Sequence, residues 1–201
     1  GKPKGANCSP ATAKLYMQFN DVKALIEQGG SMFQNRAAGI AQYEVPKGGN
    51  VHAIFAGALW MGGTDVNGQL KLAALRYRNG QDYCSGPLSQ CLAETNYENC
   101  SKYDKHFITI QDEIREFDAW YQAGQDDIAN GTNTQSNLFP NYQVPNVIKT
   151  WPAHGDISQG QDHYLAPFFD RNDDGEYNWQ DGDYPWHDIN KSKNCKTDRR
   201  V

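Results

Sequence analysis

Residues 170–183, DRNDDGEYNWQDGD, carry the most specific chemistry in this sequence. With Asp170 as position 1, oxygen-bearing side chains fall at Asn172 (3), Asp174 (5), Asn178 (9) and Asp181 (12), with Gly175 at 6 and Glu176 at 7. That is the ligand spacing of an EF-hand-type calcium loop. Hard oxygen donors at alternate positions let a short loop wrap one cation. Glycine at position 6 permits the sharp turn that brings the carbonyl of position 7, here Glu176, inward. Asp181 is shorter than the Glu that usually closes such a loop, so Asp183 is expected to assist. Between Asp170 and Asp188 seven carboxylates face one cation, Arg171. Such a density repels itself without a bound ion. The expected metal is Ca2+, with Asp170, Asn172, Asp174, Glu176, Asp181 and Asp183 as its ligand set.

The flanking segments must hold this loop. Ala-Pro-Phe-Phe precedes it and Tyr-Pro-Trp follows it, both stiff and apolar, as suits a loop anchored on a core. Pro167 lies three residues before Asp170. An entering helix is therefore not expected, and the pattern predicts a lone loop between extended segments.

The chain of 201 residues shows no composition break, and a single β-rich domain over 1–201 is expected, with 1–19 an extended arm and 190–201 a basic tail. Aromatic residues are plentiful (11 Tyr, 8 Phe, 5 Trp) although mean hydropathy is only −0.78. The net charge of −5 and pI near 5.5 count against nucleic acid as a partner. No apolar run reaches the roughly 18 residues of a membrane span. The segment GKPKGANCSP has no apolar signal core, so any export signal is expected to have been removed already.

Five cysteines (Cys8, Cys84, Cys91, Cys100, Cys195) show neither a CxxC pair nor zinc-finger spacing, and disulfides are expected before metal. Cys84 with Cys91 closes a short loop and is the first pairing. Any pair among Cys8, Cys100 and Cys195 stays open.

Along the chain, Lys14–Phe19 alternates like a strand. Asn20-Asp21 is expected to cap a two-turn helix carrying Val22, Leu25 and Ile26. Residues 51–61, apolar on both faces, read as a central strand. Leu70–Tyr77 reads as its hairpin partner through a type I′ turn at Asn67-Gly68. Ile110, Ile114, Phe117 and Tyr121 recur at the helical period and predict a helix from Ile110 to Gln122, stopped by Gly124. A long surface loop over 126–141 and a helical turn starting at Pro145 follow. The expected class is mainly β, an antiparallel sheet or β-sandwich-like domain with one inserted α-helix, long loops and an EF-hand-like calcium loop.

An ordered set of motifs spans most of the chain: YEVPKGG (43–49), IFAGALWMGG (54–63), DVNGQLKLAALRYR (65–78), GPL (86–88), KYDKHF (102–107), WPAHGD (151–156) and YLAPFFD…DGEYN…DGDYP (164–185). The set resembles the N-terminal region of large secreted surface proteins of gliding and related Bacteroidetes, exported by the type IX secretion system. The resemblance implies an exported, extracellular or cell-surface β-rich module with a calcium loop, and it supplies no catalytic residues. It also implies further strand-like sequence after DYP, where this chain turns polar and basic. The expectation is a shortened relative, or a processed piece completed by strands from elsewhere.

The function expected on these grounds is structural: a calcium-stabilised, adhesive module of a surface protein, or a subunit of a filament-like assembly, with self-association or other surface chains as partners. One rival is a carbohydrate-binding appendage, with Tyr177, Trp179, Tyr184 and Trp186 as a glycan-stacking platform. A second is a metal-dependent hydrolase built on His154, Asp156 and His163, although no HExxH or G-x-S-x-G motif supports an enzyme.

Overall fold

The computed structural model describes residues 8–75 and 82–187. Contacts group the chain into two compact units, 1–106 and 107–201, a division that composition does not mark. Among the described residues lie antiparallel sheets, with strand making up about 23%, and four α-helices, a mixed architecture without a barrel. The basic tail lies outside the described residues, as do Cys195 and the end of the strand expected to reach Tyr77.

In the first unit, β1 (Lys14–Phe19) pairs along its length with β2 (Val22–Glu27). Residues 14–19 of the expected arm are thus committed to a sheet. The segment expected as a helix is a strand for a local reason. Asn20 adopts φ 51°, a left-handed conformation that Asn tolerates, and turns the chain back at once. Lys14 and Glu27, directly opposite in register, then pair at 3.0 Å. Pairing along the whole strand outweighs two turns of helix that would be marginal alone. β3 (Ser31–Met32) and β6 (Tyr43–Glu44) share the other edge of β2, β4 (Gln34–Asn35) pairs with β5 (Ile40–Ala41), and β7 (Gly57–Ala58) extends the sheet from β3. Leu25 and Ala24 of β2 are buried.

Residues 51–56 do not form the expected central strand; they are exposed and irregular. The strand starts later, as β8 (Trp60–Thr64), and pairs with β9 (Leu70–Ala74), so the hairpin lies where the Asn-Gly signal places it. Its turn differs from type I′, which needs left-handed φ at both central residues. Here Gly68 alone among residues 65–68 has positive φ, at 74°, and Gly68 N donates to Asp65 O. The carboxylate of Asp65 accepts from Asn67 N and Gln69 N and sets that geometry.

The unit ends in α1 (Tyr97–Tyr103), capped by the side chain of Asn96, and a disulfide joins Cys8 to Cys100 on it. Cys84 and Cys91, the expected pair, are both unbonded. Asp104, just past α1, accepts hydrogen bonds from Thr12 N, Thr12 Oγ1 and Ala13 N. Those bonds lay the N-terminal segment beside α1, leaving the Cα atoms of Cys8 and Cys100 5.9 Å apart, within the range a disulfide needs.

In the second unit, α2 (Gln111–Asn130) runs well past the expected stop at Gly124 and ends at Gly131, φ 67°. Gly124 serves a different purpose. A Cβ there would sit 2.6 Å from Gln135 Nε2, so the glycine admits α3 (Thr134–Leu138), whose Gln135 donates to Trp120 O. α4 (Asn146–Lys149) begins after Pro145, as expected. The core joins Ile114 and Phe117 of α2, Val144, and Ile148 of α4 to Tyr184 and Trp186. β10 (Phe168–Phe169) and β11 (Tyr184–Pro185) pair across the acidic loop and carry its two ends into this core.

Candidate metal centre

The acidic loop is closed at its base by β10 and β11 and shaped inside by its own side chains. Asp170 Oδ2 accepts from Gly175 N at 2.8 Å, Asn172 Oδ1 from Asp174 N at 3.3 Å, and Asp174 Oδ1 from Glu176 N at 2.8 Å. Gly175 has φ +82°, and a Cβ there would meet Tyr164 Oη at 2.9 Å. The carboxylate at position 1 and the glycine at position 6 are thereby brought together, as the spacing predicts. The other oxygen of Asp170, Oδ1, is buried and has no hydrogen-bond partner. A buried carboxylate oxygen left unpaired is costly, and a cation would satisfy it.

The two carboxylates at the far end of the loop are placed differently. Asp181 is exposed, at the end of a 3₁₀ turn (Trp179–Asp181), and accepts from Asn178 Nδ2 at 2.6 Å. Asp183 is fully buried. Its Oδ1 accepts from Arg171 N and its Oδ2 from Asn178 N, each at 2.9 Å. Burial pushes the Asp183 carboxyl above its ordinary range against those two bonds, and the charges of Asp170 and Asp174 push the same way. Carboxylates of positions 1, 5 and 14 thus repel one another across one small volume.

Arg171 fixes the loop to α2. Its guanidinium lies over the Tyr121 ring (4.9 Å) and the Phe169 ring (5.6 Å), bonds Asp118, and donates through Nε to Gly182 O. Gly182, φ +92°, leaves no room for a side chain: a Cβ would lie 2.5 Å from Arg171 Nε and 2.6 Å from Tyr121.

His154 braces the same loop from the WPAHGD turn. Tyr177 N donates to its Nε2 at 2.8 Å, which leaves Nδ1 as the protonated nitrogen, donating to His163 O at 3.1 Å. The expected trio of His154, Asp156 and His163 is not assembled. Asp156 instead caps a 3₁₀ turn (Ile157–Gln159); hydrogen bonds from Ser158 and then Gln159 hold its carboxyl below the usual range. Ligand atoms of His154, His163 and Glu176 do lie within 4.8 Å of one another, yet the Nε2 lone pair of His154 is already engaged by Tyr177. The sequence signal for this brace is the lone His in a rigid turn beside Trp151, a position that suits a hydrogen-bonded turn residue better than a metal ligand.

The four aromatics that the glycan-binding rival would need in solvent largely pack inward. Tyr184 and Trp186 are buried in the core, Trp179 packs against it, and Tyr177 Oη donates to Ile148 O. Burial, and then the charge of Asp183, pushes the Tyr177 phenol far above its ordinary range. A cleft of about 520 Å³ beside the loop is lined in part by Tyr164, Phe168, Asp173 and Trp186.

Compared with protein-family models, curated proteins and solved structures, the chain matches none. Among the described residues no helix is long and apolar enough to cross a membrane.

Proposed function

We propose that residues 170–183 bind calcium and that the ion stabilises an extracellular structural or adhesive module, part of a surface protein or of an extracellular assembly. The single observation that carries the metal reading is the buried, unpartnered Oδ1 of Asp170 in a loop where Asp174 and the fully buried Asp183 raise the cost of every added charge. Asp170, Asn172, Asp174 and the Glu176 carbonyl supply oxygens at EF-hand spacing, and Asp183 closes the set more readily than the exposed Asp181. The extracellular placement draws on the motif resemblance and on the Cys8–Cys100 bond, a crosslink that persists in oxidising compartments.

Calcium titration followed by calorimetry and metal analysis tests the reading. One ion bound by the wild type and none by Asp170→Ala is the expected result. A wild-type chain that takes up no calcium at millimolar concentration sinks it.

A second reading, a glycan-binding appendage, draws on the cleft beside the loop, where the exposed ring of Tyr164 offers a stacking face near the carboxylate of Asp173. Glycan-array binding that is lost in Tyr164→Ala, with calcium uptake unchanged, would favour it.

A further inference from the structure

Three successive amides cross the middle of the acidic loop, and the groups that hold them differ in origin. Glu176 N donates to Asp174 Oδ1 at 2.8 Å and Asn178 N to Asp183 Oδ2 at 2.9 Å, so the outer two are fixed by carboxylates of the loop itself. The middle one, Tyr177 N, donates at 2.8 Å to His154 Nε2, on a side chain 23 residues earlier in the chain. The amide that carries Tyr177 N also carries Glu176 O, the oxygen of position 7. Glu176 O takes no hydrogen bond among the described residues. A planar trans peptide sets its N–H and C=O in opposite directions. With the N–H turned out to the imidazole, the carbonyl is turned back to the side the loop encloses, where a calcium ion takes its position-7 oxygen.

The imidazole is itself held as an acceptor. Because Tyr177 N must donate, Nε2 is bare and Nδ1 carries the proton, donating to His163 O at 3.1 Å. His163 O also accepts from Gly155 N, and Leu165 N donates to Ala153 O, so an antiparallel bridge fixes the backbone on both sides of His154. Ring contacts fix the plane of the side chain. The His163 ring stacks on it with centroids 4.4 Å apart, and the Phe168 ring meets it edge-on at 5.4 Å. The nearest approach of Nε2 to the Glu176 carboxylate is 3.7 Å, beyond hydrogen-bond range. The contact that defines the ring's role is therefore the one to the amide.

We propose that His154 is the positioning residue for the calcium ligand at position 7: its Nε2 holds the Glu176–Tyr177 peptide with the carbonyl facing the ion. This rests on the calcium reading given above. The effect runs in both directions. A cation on the carbonyl draws electrons from the amide and makes its N–H a stronger donor, and an imidazole on the N–H makes the carbonyl a stronger ligand. Without that acceptor, this peptide alone among the three is free to rotate, and a flip carries its carbonyl out of the site.

Calorimetric calcium titration of the full chain, with NMR of the isotope-labelled protein, tests the proposal. His154→Phe keeps a ring in the same packing but has no acceptor, and should weaken calcium binding about tenfold or more. His154→Gln sets an amide oxygen where Nε2 stands and should restore most of the affinity. In the wild type a nitrogen–nitrogen coupling should be seen across the hydrogen bond from Tyr177 N to His154 Nε2, and the Tyr177 amide proton should move downfield as calcium is added. The coupling decides the matter should His154→Phe fail to fold. Wild-type affinity in His154→Phe, equal weakening in the Phe and Gln variants, or an absent coupling overturns the proposal. A wild type that takes up no calcium overturns the calcium reading and this proposal together, whereas calcium uptake indifferent to His154→Phe overturns this proposal alone.

Discussion

At the scale of single residues, Asp127 shows how fully a side chain in solvent can be committed by local hydrogen bonds. Thr132 Oγ1 donates to it, and so do the backbone N–H groups of Thr134 and Gln135, which together lower its carboxyl to about 2. A folded value below the unfolded one stabilises the protein above the unfolded value and ceases to do so as pH falls through the folded one. Asp127→Asn should therefore flatten the dependence of stability on pH between about 4 and 2; an unchanged acid limb in denaturant titrations would contradict this. At the metal loop, Asp183→Ala should abolish calcium uptake, whereas Asp181→Ala should weaken it by about tenfold or less. Equal loss in both variants would return position 12 to the role that spacing alone gives it. Spacing groups positions 1 to 7 of this loop, and hydrogen bonds within those seven residues do hold Asp170, Asn172 and Asp174 to the backbone that follows them. It could not distinguish Asp181 from Asp183, since their placement depends on Arg171 N, on a 3₁₀ turn and on burial against the core.

At the scale of elements, what was legible followed from contacts close in sequence. The β8–β9 hairpin, the helix around Ile114 and Phe117, and the turn beginning at Pro145 all carry their signal within a few residues. What was misread depended on partners far along the chain. β2 resembles a short amphipathic helix until β1 and β6 are set beside it, and residues 51–56 are apolar without being buried. The cysteine pairing failed for the same reason, since Cys8 reaches Cys100 only because Asp104 gathers Thr12 and Ala13. Gly124 is the clearest case. As an interior helical glycine it should gain up to about 1 kcal/mol on replacement by Ala, but here the added methyl strikes the amide of Gln135 and threatens its bond to Trp120 O. Gly124→Ala should consequently lower stability by roughly 1 kcal/mol, and Gly124→Ala with Gln135→Ala should recover much of it. A stabilised single variant would show that α3 moves aside at no cost.

At the scale of the whole molecule, the chain has modest hydrophobic content, and on the calcium proposal it would draw stability from two further sources, one in each unit. In residues 1–106 it is the Cys8–Cys100 crosslink, which closes a loop of sequence separation 92 and on chain-entropy grounds contributes roughly 2–5 kcal/mol. In residues 107–201 it is the proposed ion. Calcium at about 100 times its dissociation constant would add about 2.7 kcal/mol, several degrees in melting temperature for a chain of this size. The named partners of the acidic loop fall within 107–187 and those of the crosslink within 8–106, so the two contributions should be separable by where the chain opens. Limited proteolysis with mass spectrometry is the direct measurement. Chelation in the oxidised protein should expose cleavage sites around 164–187, and the segments flanking Phe168 and Tyr184 should be cut first, because they hold the loop's two ends. Reduction in calcium should instead expose sites near residues 8–13 and 97–104, and peptide mapping without reductant should recover Cys8 joined to Cys100 with Cys84 and Cys91 open to alkylation. Chelation that leaves the 164–187 region as resistant as before would mean that the carboxylates of Asp170, Asp174 and Asp183 are tolerated without an ion, and the calcium reading would fall with it.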